Sequence, residues 1–408
     1  MAEKRRIFEG VKILNFTWVV AGPLTIKYLS DNGATVVHVE SSLRPDPLRI
    51  APPFWKGEWG LDNSLFSPLY HTGEYSCAIN MSDPRGIDII KRLVKWADVV
   101  ADNYSPRAMA GFGLTYDDLV KIKPDIIMWE TCMQGQTGPA RLYSGFGNQM
   151  GALSGFASCS GFPDGAPVTP EGAYTDIIEP HISSAVLAAA LLYKKRTGKA
   201  VYIDNSQFES GVSFFQVPIM DYIVNGRLWS RDGNRDPYAA PHGIYPCLGE
   251  ERWVAIAVTN DEEWAGFCEV IARSADWVNN PKFATLLGRK QNEDELDRLV
   301  GEWTKGLKAE EVMVTLQAAG VPAGLVSNGE DLFNDPQLKV RNMYPVMEHK
   351  LFGPFPSLGQ AHLYSELDSS PVRAGSNIVG QDTDFVLKKF AGMSDAEIKE
   401  VRDAGVLT

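Results

Sequence analysis

Apolar positions in the first third of the chain fall into short runs that alternate with stretches of helical spacing. The predicted strands are 11–16, 34–40, 98–102 and 125–130, and the predicted helices between them are 23–32, 84–96 and 116–122. Strands that alternate with helices are typical of an α/β fold with a mostly parallel, Rossmann-like sheet covered on both faces. Ligands of such sheets bind at the carboxyl ends of the strands, so we expect the functional loops to gather there.

The pattern changes in the second half of the chain. A further strand (200–206) and helix (207–222) precede a segment rich in Asn, Arg, Asp, Gly and Pro at 225–241, which is typical of a linker. Beyond it the predicted elements are a hairpin at 243–248 and 253–258 and helices at 262–271, 293–305 and 309–319. The sequence therefore predicts a large domain (1–225, completed by 326–408) and a smaller α+β domain (226–325).

Length, charge and cysteine usage narrow the functional classes. A chain of 408 residues has room for two domains, and its net charge of −12 argues against general binding to nucleic acid or to an anionic membrane. The five cysteines show neither a CxxC pair nor a metal-binding spacing, which indicates reduced packing thiols and no bound metal. With no signal-type segment and no run of about 18 apolar residues, we expect a cytoplasmic protein.

The first predicted turn from strand to helix lacks the glycines that hold a dinucleotide. It has one glycine in the segment TWVVAGP (17–23) instead of GxGxxG, and no GxxxxGK[ST] occurs elsewhere. A nicotinamide or P-loop nucleotide cofactor is therefore disfavoured.

One carboxylate, Asp176, stands where a loop enters a long apolar helix. Because 185–192 is nearly free of polar residues, we expect that helix to be buried, and the entry of the helix to lie near the interior. A desolvated carboxylate can act as a nucleophile toward an activated acyl group. The alternative is that Asp176 only caps the helix, since Asp is a favoured N-cap residue.

Several short motifs occur in an ordered series along nearly the whole chain. They are FEGVKILNFT (8–17), AGP (21–23), NGATVVHVE (32–40), DPLR (46–49), ADNYSPR (101–107), GFGLT (111–115), QGQTGP (134–139), APHGIYP (240–246) and GVPAG (320–324). In this order they resemble the class III CoA-transferases, the formyl-CoA transferase and carnitine CoA-transferase-like family. The resemblance implies that Asp176 is the catalytic aspartate and that two chains form an interlocked dimer. It also implies a coenzyme A thioester as substrate, with no other cofactor.

The resemblance assigns further residues to the CoA site. They are Val19, Val20, Ala21, Arg44, Arg49, Asn103, Tyr104, Arg107 and Phe146. Of the two arginines after the second strand, Arg49 fits the family pattern better. Glu179 and His181 stay outside the predicted catalytic set, because Glu179 can complete a capping box and an ionised nucleophile needs no base.

Departures from the family pattern leave other functions open. Glu74 and Tyr75 replace a Lys-Arg pair expected near a polyphosphate, so the chain could be a degenerate subunit completed by a related partner. An acyl-CoA racemase is a second alternative. The racemase relatives carry a histidine in the loop that corresponds to 131–135, and this chain has none there.

The acceptor acid is predicted only from similarity within the family. Tyr174-Thr175-Asp176, with Pro180 four residues on, and the opening third are most similar to subunits of the succinyl-CoA:(R)-benzylsuccinate CoA-transferases of anaerobic toluene degradation. That branch pairs two related chains, so the expected partners are acyl-CoA, a carboxylic acid and a second subunit.

Overall fold

The computed structural model describes residues 5–170, 172–271, 277–368, 371, 373, 375 and 378–408. Its strands are β1 (Lys12–Asn15), β2 (Thr35–Glu40), β3 (Tyr75–Ala78), β4 (Val99–Asp102), β5 (Ile127–Cys132), β6 (Val201–Ser206), β7 (His242–Pro246), β8 (Trp253–Ala257), β9 (Ala323–Leu325), β10 (Val346–His349) and β11 (Gly353–Pro356).

Helices separate most of these strands. They are α1 (Ala21–Asp31), α2 (Phe66–Tyr70), α3 (Pro84–Trp96), α4 (Ala108–Phe112), α5 (Tyr116–Ile122), α6 (Gly147–Leu153), α7 (Phe156–Cys159), α8 (Tyr174–Thr197), α9 (Gln207–Phe214), α10 (Gln216–Asn225), α11 (Asp261–Val270), α12 (Leu286–Gln291), α13 (Glu293–Thr304), α14 (Ala309–Ala318), α15 (Gly329–Asn334), α16 (Pro336–Val340), α17 (Thr383–Lys389) and α18 (Asp395–Asp403). Two short 3₁₀ turns, Pro47–Arg49 and Trp55–Gly57, follow β2.

The large sheet has six strands in the order β3-β2-β1-β4-β5-β6, and every neighbouring pair is parallel. The predicted parallel α/β sheet is therefore confirmed. The strand order reverses between β1 and β4, and in open sheets of this kind the ligand crevice lies at that switch point. The edge strand β3 was not predicted, because Glu74, Tyr75 and Ser76 interrupt any apolar run there.

The sheet is buried on both faces. One core cluster contains Leu14, Val37, Val100 and Met128 from the strands, together with the apolar stripe of α3. The opposite face packs Ile13, Val36, Val99, Ile127 and Trp129 against α1 and α8. Strands buried on both faces read as continuous apolar runs, which is why the sequence pattern identified them.

The chain divides into two compact units. Unit 1 contains Met1–Phe156, Thr169–Leu228 and Gln337–Thr408, and unit 2 contains Ala157–Val168 and Trp229–Pro336. Unit 2 is built on the antiparallel sheet β7-β8-β9, whose core includes Val254, Ile256 and Phe267. In unit 1, the C-terminal segment joins the core of the large sheet through α17 and α18.

The prediction that the long helix is buried was only partly correct. Of the described helices, α8 alone is long and apolar enough to pass a composition test for a membrane span. Its first half is buried and packs on α1, α6 and α9, and it carries the ionisable residues Asp176 and Glu179. Its second half exposes Leu192 and Tyr193 at the surface of the single chain. The apolar residues of α8 therefore belong to the core in its first half and lie on an exposed face in its second half.

Candidate active site

A cavity of about 350 Å³ opens at the switch point of the large sheet. Three groups of residues line it: the loop after β1, the loop after β4, and the segments that approach Asp176. They are Trp18, Val19, Val20, Ala21, Asn103, Tyr104, Ser105, Pro106, Arg107, Thr131, Cys132, Met133, Arg141, Leu142, Tyr143, Ser144, Gly145, Phe146, Asp176 and Gln207. Seven of the nine predicted CoA contacts and the predicted catalytic carboxylate thus share one cavity.

The Asp176 carboxylate is 6% exposed and lies in the first turn of α8. The residue at the N-cap is Ala173, and Asp176 lies three residues further into the helix, so the capping alternative was wrong. Gln207, the first residue of α9, donates from Nε2 to Asp176 Oδ1 over 3.2 Å. The backbone N–H of Gly147 donates a second hydrogen bond to the same carboxylate.

Burial makes Asp176 an unusually weak acid for an aspartate. Burial disfavours the charged carboxylate and raises its pKa to about 6, although the hydrogen bonds from Gln207 and Gly147 partly oppose the shift. The group is still mostly ionised at neutral pH, but it has few solvating partners. A carboxylate in this state suits nucleophilic attack on an acyl carbon.

Gly147 permits this arrangement because it has no side chain. A Cβ atom at Gly147 would lie 2.6 Å from Asp176 Oδ2, closer than non-bonded atoms approach. The sequence analysis identified neither Gly147 nor Gln207. Each follows a polar or aromatic residue at the start of a helix, and only the fold shows that both approach Asp176.

The two ionisable neighbours of Asp176 along α8 take no part in the cavity lining. Glu179 is fully buried and accepts hydrogen bonds from Thr131 Oγ1 (3.1 Å) and Asn205 Nδ2 (2.6 Å), and from Ser183. It does not form the capping box that the sequence suggested. His181 is exposed, and its Nε2 lies 3.2 Å from the hydroxyl of Tyr28.

The loop after β1 is held by side chains that bind three successive backbone N–H groups. Thr17 N–H donates to Asn15 Oδ1 (2.9 Å), Trp18 N–H to Asn103 Oδ1 (2.9 Å), and Val19 N–H to both carboxylate oxygens of Asp46. Asn103 also donates back to the carbonyl of Trp18 over 2.8 Å. Asn103 therefore shapes the cavity wall through the backbone as well as lining it.

Aromatic and basic side chains form the rim. The rings of Trp18 and Tyr104 meet edge to face with centroids 5.1 Å apart, and the guanidinium of Arg44 lies 5.2 Å from the centroid of Trp18. Arg107 and Arg141 line the cavity and are both exposed, where they can meet a phosphate. Arg141 was not predicted, since it lies in an irregular segment with no periodic signal.

Arg49 lies elsewhere, and its placement corrects the sequence prediction. Its side chain is 1% exposed, it pairs with both oxygens of Glu40, and its Nη1 lies 2.8 Å from Asp62. Burial alone would raise the pKa of Glu40, but Arg49 outweighs burial and lowers that pKa to about 2. Because Arg49 neutralises this buried carboxylate, Arg44 is the better candidate for CoA.

The structure does not support the predicted charge penalty from Glu74 and Tyr75. Glu74 is fully buried, where it accepts hydrogen bonds from Asn15 and His71, and it does not line the cavity. Tyr75 stacks with Phe385 in the core of unit 1. The replacement of Lys-Arg therefore places no negative charge on the lining of this cavity, so Glu74 gives no support to a degenerate subunit.

Among the described residues, the loop at 131–135 gives the racemase alternative no second base beside Asp176. Cys132 lines the cavity, and burial raises the pKa of its thiol to about 11. A thiol with this pKa is protonated at neutral pH and does not remove an α-proton.

The site combines a parallel sheet that lacks a nucleotide fingerprint with a buried carboxylate at the switch point, and the match to a known family gives the class of enzyme. Residues 8–383 match the family model of CoA-transferase family III. The chain belongs to this family and is a CoA-transferase.

Relatives of known function and known structure agree with the family assignment. The chain is 30% identical to the human succinyl-CoA:glutarate CoA-transferase, covering 98% of this chain and 89% of the relative. It is 27% identical to the beta subunit of the succinyl-CoA–L-malate CoA-transferase of Chloroflexus aurantiacus, covering 98% and 97%. The crystal structure of a CAIB/BAIF family protein from Brucella suis superposes with a TM-score of 0.86 at 27% identity, covering 95% of this chain and all of the other.

Proposed function

We propose that this CoA-transferase moves CoA from succinyl-CoA to a dicarboxylic acid, with Asp176 as the covalent nucleophile. The observation that carries the proposal is the buried Asp176 carboxylate, which lies in the cavity at the switch point with two hydrogen-bond donors and a raised pKa.

The first half of the reaction loads the enzyme. An oxygen of Asp176 attacks the thioester carbon of succinyl-CoA, the C–S bond breaks, and CoA leaves as a thiolate with a mixed anhydride left on Asp176. The thiolate then attacks the aspartyl carbonyl, so that succinate leaves and an aspartyl-CoA thioester remains. Every step replaces one activated acyl bond by another, so neither ATP nor redox chemistry is required.

The second half reverses these steps with the acceptor. A carboxylate oxygen of the acceptor attacks the aspartyl-CoA carbonyl and expels CoA thiolate, and the thiolate then attacks the acceptor acyl carbon. The products are the acceptor acyl-CoA and a regenerated Asp176 carboxylate. Attack on the aspartyl carbonyl places negative charge on an oxygen of Asp176, where the N–H of Gly147 already donates.

The proposed acceptor class rests on the relatives and on the rim. Glutarate and L-malate, which the names of two relatives give as acceptors, are both dicarboxylic acids. A second carboxylate of the acceptor would suit Arg107 or Arg141, and an aromatic substituent would suit Trp18, Tyr104 and Phe146. (R)-Benzylsuccinate combines both features and is the specific acceptor that we propose.

We also propose that the enzyme works as an interlocked dimer, either of identical chains or with a related subunit. Helix α10 and the residues beside it expose a continuous series of apolar side chains, namely Phe214, Val217, Met220, Tyr222, Ile223 and Val224. Patches of this kind on a single chain mark interfaces. One relative is named as the beta subunit of a CoA-transferase, which supports pairing with a related chain.

Isotope exchange tests the chemistry without knowledge of the acceptor. Labelled succinate should enter succinyl-CoA when the enzyme is present, because the loading half of the reaction is reversible. A screen of dicarboxylic acids in place of labelled succinate then identifies the acceptor, with (R)-benzylsuccinate and glutarate as the key comparison. Absence of exchange by the chain alone, with exchange restored by the product of a neighbouring gene, would support the hetero-oligomer.

A further inference from the structure

Beneath the cavity lies a buried charged network that the proposed mechanism does not use. His71 is 1% exposed; its Nδ1 lies 3.1 Å from Glu74 Oε2 and its Nε2 lies 3.4 Å from Asp46 Oδ2. Glu74 is also bonded to the side chain of Asn15, and His38 stacks on His71 with ring centroids 4.2 Å apart. All five side chains are buried.

The imidazoles of this network differ in charge. Burial would lower the pKa of His71, but the carboxylates of Glu74 and Asp46 outweigh burial and raise that pKa to about 10. Burial and the neighbouring charge of His71 lower the pKa of His38, although Glu40, Glu74 and Asp46 partly oppose this shift. The network therefore holds one imidazolium between two carboxylates, stacked on a neutral ring.

The two rings do not form a shared ion site. Nitrogen lone pairs lie in the plane of an imidazole ring, and the planes of His38 and His71 are only 12° from parallel in a stacked pair. A single ion cannot lie in both planes, so we interpret the cluster as an ion-pair network.

Both branches of the network end on the loop that lines the cavity. One branch runs from Glu74 through Asn15 to the N–H and hydroxyl of Thr17. The other runs from His71 through Asp46 to the N–H of Val19, at 3.1 and 3.2 Å. The second branch holds a strained residue, since Val19 has a φ of 64°. A β-branched residue adopts this left-handed conformation only when its surroundings enforce it.

We infer that His71 and Asp46 are positioning residues, which fix Val19 in its left-handed conformation and so set the cavity wall opposite the reacting carboxylate. His71 orients the Asp46 carboxylate, and that carboxylate accepts the Val19 N–H with both oxygens. The same carboxylate caps the 3₁₀ turn at Pro47–Arg49 by accepting from Leu48 N–H over 2.8 Å. Without it, Val19 would relax toward a negative φ and the loop would leave its place in the wall.

Kinetics of the succinate exchange test this inference, which takes its activity readout from the proposed function. Asp46→Asn and His71→Gln should each lower kcat by about ten- to a hundredfold, the effect expected when the wall beside a reacting group is displaced by about 1 Å. Adding Val19→Gly to Asp46→Asn should recover several-fold of the loss, because glycine adopts a positive φ without enforcement. Ile90→Val is the control, because it weakens the core of α3 and should leave kcat unchanged.

A structural role alone would give a different result. If Asp46→Asn and His71→Gln lower the melting temperature, as Ile90→Val does, but keep kcat within twofold, the inference is overturned. Lack of rescue by Val19→Gly would contradict the role of the strained residue.

A second measurement needs neither a variant nor activity. The imidazole ¹⁵N resonances of His71 should report a protonated ring at pH 8, and a neutral ring there would overturn the inference even if the wild type shows no exchange. Failure of the exchange in the wild type with a protonated His71 would instead count against the proposed function alone.

Discussion

The acidity of one residue, Asp176, sets the expected pH dependence of the reaction. Because its pKa is raised to about 6 and the carboxylate is the attacking form, the exchange rate should rise with pH through about 6 and then level off. A pH profile of kcat/KM for succinate exchange measures this midpoint. A profile that is already flat down to pH 4 would contradict the assignment.

The same shift predicts an effect on stability with a definite sign. A carboxyl group whose pKa is higher in the folded than in the unfolded state binds protons more tightly when folded. The free energy of unfolding therefore falls as the pH rises from about 4 to about 6 and keeps the lower value above pH 6. Asp176→Asn should therefore raise the free energy of unfolding at pH 8, by up to about 3 kcal/mol, and show no gain at pH 4. Denaturant titration at the two pH values measures the difference.

Gln207 tunes this acidity. Its hydrogen bond to Asp176 favours the charged form, so Gln207→Leu should move the midpoint of the pH profile to a higher pH and lower the rate at pH 7. Gln291→Leu changes the same residue type at an exposed position in α12 and should change neither quantity. An unchanged midpoint in Gln207→Leu would show that this hydrogen bond does not matter for acidity.

We expect the exposed arginines of the cavity to act on binding. Arg141→Ala should raise KM for succinyl-CoA about two- to fivefold, the size expected for an exposed ion pair, and should leave kcat nearly unchanged. The effect should shrink at high salt, since exposed charges are screened. Arg196→Ala, at the exposed end of α8, is the matched control, and an equal effect from both variants would contradict a specific role for Arg141.

At the scale of elements, α6 begins so close to Asp176 in α8 that its first residue, Gly147, has no room for a side chain. Gly147→Ala should lower the exchange rate by about a hundredfold, because the added methyl group would displace the Asp176 carboxylate from its position. The control is Gly111→Ala in α4, where a Cβ meets no atom within 4 Å. Equal rates for the two variants would show that the close approach is not required.

The sequence predicted those strands and helices whose hydrophobic pattern is complete within the element itself. Apolar runs identified five strands of the sheet, but β3 contains Ser76 and follows the buried Glu74, which looks like a surface residue when only its type is known. The family resemblance, together with its position at the entry of an apolar helix, predicted Asp176 as the catalytic carboxylate, and the structure places it in the cavity. The sequence could not identify the link between His71, Asp46 and Val19, because these residues lie tens of positions apart in the sequence and only the fold brings them together.

The same reason explains the error about Arg49. Its position after β2 fits the family pattern, yet Glu40 and Asp62 surround it once the chain is folded. Charge in the sequence does not show whether an arginine faces a ligand or a buried carboxylate.

At the scale of the whole molecule, the exposed apolar face of α10 predicts a dimer that survives dilution. Val224→Asp should weaken the dimer, because it places a charge in an apolar interface. Val314→Asp, at a comparably exposed valine in α14, is the control. Light scattering at sub-micromolar concentration measures the mass, and a folded wild-type monomer would contradict the prediction.

The central claim is that Asp176 becomes covalently acylated, and trapping tests it most directly. Incubation with succinyl-CoA and hydroxylamine, followed by peptide mass spectrometry, should reveal a hydroxamate at Asp176 and no exchange activity in Asp176→Ala. A hydroxamate on another carboxylate, or an Asp176→Ala variant that still exchanges succinate at the wild-type rate, would contradict the account.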